Sequence, residues 1–117
     1  MSRRDDNVSL RQMLDHVQEV IALVHDRSKT DLNSDRVFFL AVLKLVEIVG
    51  EAAIRVSEAM QNAHLEIPWR QIIGTRHRLI HGYDAVDNDL LWEIVTADFP
   101  ILADQIRVII LGGKGQA

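Results

Sequence analysis

Between Val37 and Val49 only Lys44 and Glu47 are polar, and this stretch constrains the fold more than any other. An α-helix that is apolar nearly all round must be covered on most sides. A chain of 117 residues has little material to wrap such a helix, so part of its surface is expected to meet another chain, in the simplest case a second copy. The longest unbroken apolar run, Val37 to Leu43, is far shorter than the roughly 20 residues that cross a bilayer. The N-terminal Met1-Ser2-Arg3-Arg4-Asp5-Asp6 leads into no apolar signal-peptide region. There is no cysteine, which excludes disulfides, thiolate metal sites and a cysteine nucleophile. The expectation is one domain over residues 1–117, cytoplasmic and with no membrane contact.

Around that segment the chain reads as helices separated by short polar breaks. Leu10, Met13, Leu14, Val17, Ile21 and Val24 recur at three- and four-residue steps and form one apolar stripe. Asp26 to Ser34 reads as a turn, with Ser34 as the cap of the second helix. On that helix Lys44, Glu47, Glu51, Arg55 and Glu58 fall within about an 80° arc. The arc reads as a solvated edge carrying a Glu51–Arg55 pair. The alternative is that it borders a cleft and orients basic residues. Pro68 fits the first position of a third helix that begins with Trp69 and runs to Gly82. Asp87 or Asn88 caps a fourth, which Pro100 should kink or restart. Residues 112–117 are expected to fray. No strand alternation appears, so the predicted class is all-α, an up-down bundle of four to five helices.

The formal charge is −4, which argues against coating nucleic acid by bulk attraction. The charge is uneven, however. From Ile67 to Tyr83 there is no Asp or Glu, so the segment carries +3 and the other 100 residues carry −7. A basic patch on an acidic body suits a focused contact with phosphate, although three arginines on an ordinary surface helix would look the same. Within the patch, Arg76 and His81 stand about 140° apart on an ideal helix and are not direct neighbours on a regular one, but a helix end at Gly82 can turn His81 towards Arg76. A guanidinium fork and an imidazole suit phosphoryl chemistry, because one binds phosphate oxygens and the other moves protons near neutrality. His77 and His81 have the spacing of a zinc helix, but Arg70, Arg76 and Arg78 would repel a cation and no third ligand stands at suitable spacing. Neither a metal nor a cofactor is therefore expected. His16, His25 and His64 read as surface or boundary residues, and Trp69 and Trp92 as core.

The segment Arg76-His77-Arg78-Leu79-Ile80-His81-Gly82-Tyr83 contains Arg-x4-His-x-Tyr, which resembles the signature of the HepT branch of the HEPN superfamily. Ile67-Pro68-Trp69-Arg70-Gln71-Ile72-Ile73-Gly74 resembles the family's approach to that motif. Val86-Asp87 with Leu91-Trp92-Glu93 resembles its exit, and Glu47-Ile48-Val49-Gly50-Glu51-Ala52 its second helix. His77 stands where the family more often has Asn. The resemblance implies a HEPN-like homodimer acting as a metal-independent ribonuclease toxin, with RNA and not DNA as substrate. It also implies a partner, a nucleotidyltransferase antitoxin of the MntA type. Arg76 and His81 would be catalytic, and Tyr83 would be the tyrosine to which the antitoxin attaches AMP. Arg70, His77 and Arg78 would hold substrate. Two other functions remain compatible with these residues. One is a non-catalytic HEPN subunit that binds nucleotide or presents substrate to a nucleotidyltransferase, and the other is a dimerisation bundle whose basic patch docks an acidic protein.

Overall fold

A computed structural model of the chain describes residues 3–81 and 85–115, and their architecture is all-α apart from one very short ladder. Helix α1 (Arg3–Val24) buries Leu10, Met13, Leu14, Val17 and Val24 of the predicted stripe, while Val20, outside it, is fully buried and Ile21 only half-buried. A one-turn helix, α2 (Asp31–Ser34), precedes α3 (Arg36–Ile54). The cap of α3 is Asp35 and not Ser34. Asp35 keeps an extended backbone, and its Oδ1 accepts from the Phe38 N–H at 3.1 Å. Ser34 is already the last residue of α2, so its backbone is helical where a cap needs to be extended. Arg27 braces the corner by donating to Asp31 at 3.2 Å and to Asp35 at 2.9 Å, with its guanidinium 3.9 Å from the Phe38 ring centroid.

Helix α3 ends at Ile54, earlier than the polar stripe predicts. Glu58 opens a separate helix, α4 (Glu58–Ala63), capped by Ser57 Oγ accepting from the Met60 N–H at 3.2 Å. The cause is tertiary. The buried Asp6 of α1 accepts from both the N–H and the hydroxyl of Ser57, each at 2.7 Å, and this clasp stops α3 from propagating. Arg55 becomes the last cap residue and forms no pair with Glu51, so the expected Glu51–Arg55 pair is absent.

The third predicted helix, from Trp69 to Gly82, divides into α5 (Trp69–Ile73) and α6 (Thr75–Leu79), with Pro68 at the cap of α5. The Trp69 indole N–H donates to the His64 carbonyl at 3.0 Å and fixes the start of α5. Beyond Leu79 the chain is extended. Strand β1 (Ile80–His81) pairs antiparallel with β2 (Ala85–Val86), placing Ile80 opposite Val86 and His81 opposite Ala85. This ladder corrects the expectation of no strand, and two residues are too few to show an alternating pattern. Asp87 then caps α7 (Asn88–Glu93), accepting from the Leu90 N–H at 3.0 Å. A π-helical turn over Ile94–Asp98 leads into α8 (Phe99–Gly115). Pro100 lacks an N–H and its ring would crowd the carbonyl four residues back, so the helix widens by one residue per turn just before it. Helix α8 continues to Gly115, past the glycines at which the sequence predicts fraying.

Helix α1 is the spine, packing most extensively on α3 and next on α8, while α5 and α6 lie against α3. One apolar cluster joins them, running from Leu10 and Val17 through Val42, Val49 and Leu79 to Leu91 and Ile106. Among the described residues no helix is long and apolar enough to cross a membrane.

Candidate functional site

Two glycines and a threonine set the position of the basic segment. An added Cβ on Gly50 of α3 would lie 3.1 Å from the Ile72 carbonyl, so only glycine lets α5 approach this closely without displacement. Gly74 separates α5 from α6, and its N–H bonds the Arg70 carbonyl at 2.9 Å to close the first helix. The buried Thr75 hydroxyl lies 2.9 Å from the Gln71 carbonyl and 2.8 Å from that of Ile72, sharing its proton between the two at the seam. Sequence reasoning missed Gly50 and Thr75. A glycine inside an otherwise apolar helix is a detectable signal, whereas nothing local marks the threonine.

A cleft of about 220 Å³ opens along that seam, lined by Val46, Glu47, Gly50, Glu51 and Ile54 of α3 and by Ile72, Ile73, Thr75 and Arg76 opposite. Glu47 and Glu51 therefore border the basic segment, while Lys44, Glu51, Arg55 and Glu58 are exposed as a solvated edge should be. Neither carboxylate pairs with Arg76. Arg76 and His77 are exposed on α6, Arg78 is half-buried there, and Arg70 is exposed on α5. None of the three guanidiniums makes an ion pair or side-chain hydrogen bond among the described residues. Elsewhere Arg27, Lys29 and Arg107 are each paired with aspartate. Arginines that form no ion pair keep their donors for an incoming anion.

The structure brings Arg76 to the cleft mouth and places Arg70 one helix away. His81 enters through its backbone, in β1, two residues beyond α6. The helix thus stops at Leu79, before the Gly82 stop that the sequence suggests. Gly82 and Tyr83 lie outside the described residues. Trp69 is buried and Trp92 half-buried against the core, while His25 is exposed and His16 and His64 lie at the boundary.

The face of α3 that reaches the cleft is open along its whole length. Val37, Leu40, Lys44, Glu47, Glu51 and Ile54 follow at three- and four-residue steps within about 100° of one another, and all but the half-buried Glu47 are exposed. Val37 is 78% and Ile54 59% accessible, which for large apolar side chains marks a surface without its cover.

The sequence is similar to those of known proteins. Residues 13–109 match the family described as Ribonuclease HepT-like. A candidate RNase of Methanocaldococcus jannaschii is 29% identical over 109 residues, spanning 93% of this chain and 100% of its own. A protein of Thermococcus cleftensis named "Probable ribonuclease HepT" is 34% identical over 98 residues, covering 80% of this chain and 89% of its own. No solved structure matches. The chain belongs to the HepT-like ribonuclease family, the all-α HEPN class that the bundle and its Arg-x4-His-x-Tyr segment predict.

Proposed function

We propose that this chain is the toxin of a toxin–antitoxin pair, a metal-independent ribonuclease that acts in the cytoplasm as a homodimer. The observation that carries the reading is the cluster of unpaired guanidiniums, with Arg76 at the mouth of a cleft in a HepT-like chain. Cutting RNA this way takes a base to remove the 2′-hydroxyl proton and an acid to protonate the leaving 5′-oxygen. It also takes positive charge around the pentavalent phosphorus as the 2′-oxygen bonds to it and the 5′-oxygen departs. His81 is the proton-transfer residue and Arg76 the group that stabilises the phosphorane. One chain holds a single motif histidine, so base and acid are His81 from two copies facing one cleft. The open face of α3 supports this, since its exposed apolar residues run from Val37 into the cleft wall at Ile54.

Glu47 and Glu51 act through Arg76. A guanidinium standing between carboxylates and an approaching phosphate is drawn into the cleft, while a bare carboxylate pair would repel the substrate. Arg70, His77 and Arg78 hold the RNA backbone. Tyr83 is the acceptor of AMP from a nucleotidyltransferase antitoxin, and the added phosphate would compete for Arg76 with the substrate phosphate.

Expression alone and beside the nucleotidyltransferase, scored for growth arrest and RNA cleavage, tests the reading. His81→Ala and Arg76→Ala should each lower cleavage by roughly 10²–10⁴ and abolish growth arrest while the helical circular dichroism is unchanged. A fully active His81→Ala protein sinks the mechanism, and intact RNA binding without cleavage by the wild type moves the chain to a non-catalytic role. Mass spectrometry of the co-expressed protein should find one AMP on Tyr83.

A further inference from the structure

A second concavity lies on the other side of α5 from the Arg76 cleft. It is a groove of about 770 Å³ between α4, the following loop and α5, within the range of roughly 300–1,000 Å³ typical of ligand sites. Its apolar wall includes Leu65, Ile67 and Ile73, and its polar groups include Asn62, Arg70 and Gln71. No carboxylate lines it. Ile73 lines both concavities, so the groove and the cleft are neighbours across one side chain. The amides of Asn62 and Gln71 make no hydrogen bond among the described residues, while nearby Gln61 spends its amide N–H on the Val56 carbonyl at 2.9 Å. Leu65 is 75% accessible.

We propose that this groove seats a nucleotide of single-stranded RNA adjacent to the one whose phosphate meets Arg76, an inference that rests on the ribonuclease reading. A nucleobase has a flat apolar face and an edge of donors and acceptors. Leu65 and Pro68, both exposed in the groove's lining, offer surface to the face, and two free primary amides, each both donor and acceptor, offer partners to the edge. Arg70 supplies a fork for the flanking phosphate, continuing the guanidinium track from Arg76 without a carboxylate in the groove to oppose it. An acidic side chain would pair with Arg70 but would not continue as a phosphate backbone to Arg76. The groove selects for an unpaired strand, because a base inside a duplex cannot present face and edge together.

The test is binding of 2′-O-methyl RNA, which cannot be cut at the 2′-oxygen, measured by fluorescence anisotropy on the full chain. The probes are a 2′-O-methyl mononucleotide and a strand of about ten nucleotides. Asn62→Ala with Gln71→Ala, both on exposed side chains, should weaken the longer strand about tenfold, the loss expected for two amide hydrogen bonds, and leave the mononucleotide, which has no neighbour to seat in the groove, unchanged. Leu65→Ser should give a loss in the same direction without touching either amide. Equal affinity of wild type and double variant for the longer strand overturns the proposal, as does an equal loss for both probes. A change in oligomeric mass with RNA affinity intact also overturns it, because the groove would then seat a protein chain. The nuclease reading fails separately: groove-dependent binding of unmodified RNA without cleavage removes the nuclease and keeps the groove.

Discussion

Asp35 caps α3 and receives Arg27 at the same time, so its ionisation is tied to folding. The Phe38 N–H hydrogen bond and then the Arg27 contact hold its carboxyl below the usual aspartate range. Asp31 is lowered in the same direction, first by the Ser28 N–H and then by Arg27. A carboxylate whose folded value is depressed contributes stability above its unfolded value near 4, and loses it as pH falls through the lower folded value. Asparagine also caps well, so Asp35→Asn isolates the charge from the cap. At pH 7 that variant should melt a few degrees below wild type, and the gap should close as the pH falls through the lowered folded value. A gap that stays constant from pH 7 to pH 2 would show that the charge at position 35 is irrelevant to stability. The cap itself illustrates the limit of local reading. Ser34 and Asp35 are equally good cap types, and only the turn of α2 before them decides which one stays extended.

At the scale of elements, the site depends on how closely α5 lies on α3. Gly50→Ala places a methyl 3.1 Å from the Ile72 carbonyl while removing the helix cost of glycine, about 1 kcal/mol. The two effects oppose one another in stability, so the melting temperature should move little. Activity should fall by an order of magnitude or more, since α5 must shift and Thr75 and Arg76 follow it across the seam. A Gly50→Ala enzyme with wild-type kcat/KM would show that the close approach is not needed for the cleft. Most helices were legible from apolar periodicity, because that pattern records which face is buried. Their ends were not. The stop of α3 comes from Asp6, which is 51 residues away from Ser57 in the chain, and the break after Ile73 comes from carbonyl contacts that a one-dimensional pattern does not carry.

The whole molecule extends 48 × 30 × 20 Å, so its thinnest direction holds about two helices of 10–12 Å diameter. In a body two layers thick, α3 cannot be covered on the outside by its own chain, which is why Val37 and Ile54 remain exposed. Val37→Asp with Leu40→Asp should leave the monomer folded, since both side chains already face solvent, and should convert a dimer to monomer in light scattering. Cleavage should be lost with the dimer. A wild-type chain that is monomeric at micromolar concentration would contradict the shared cleft, and an active monomeric variant would place base and acid within one copy.

What the sequence determined alone is the helical class, the excess of apolar surface on the second helix and the location of the basic segment. Each of these is a matter of composition and period along a single element, where neighbours in the chain are neighbours in space. Tertiary structure decided where α3 and α6 stop, that Glu47 and Glu51 face Arg76 across a cleft, and that a second groove lies behind Ile73. Those features are set by contacts between residues far apart in the chain, above all Asp6 with Ser57 and Gly50 with Ile72, and such contacts leave no periodic trace.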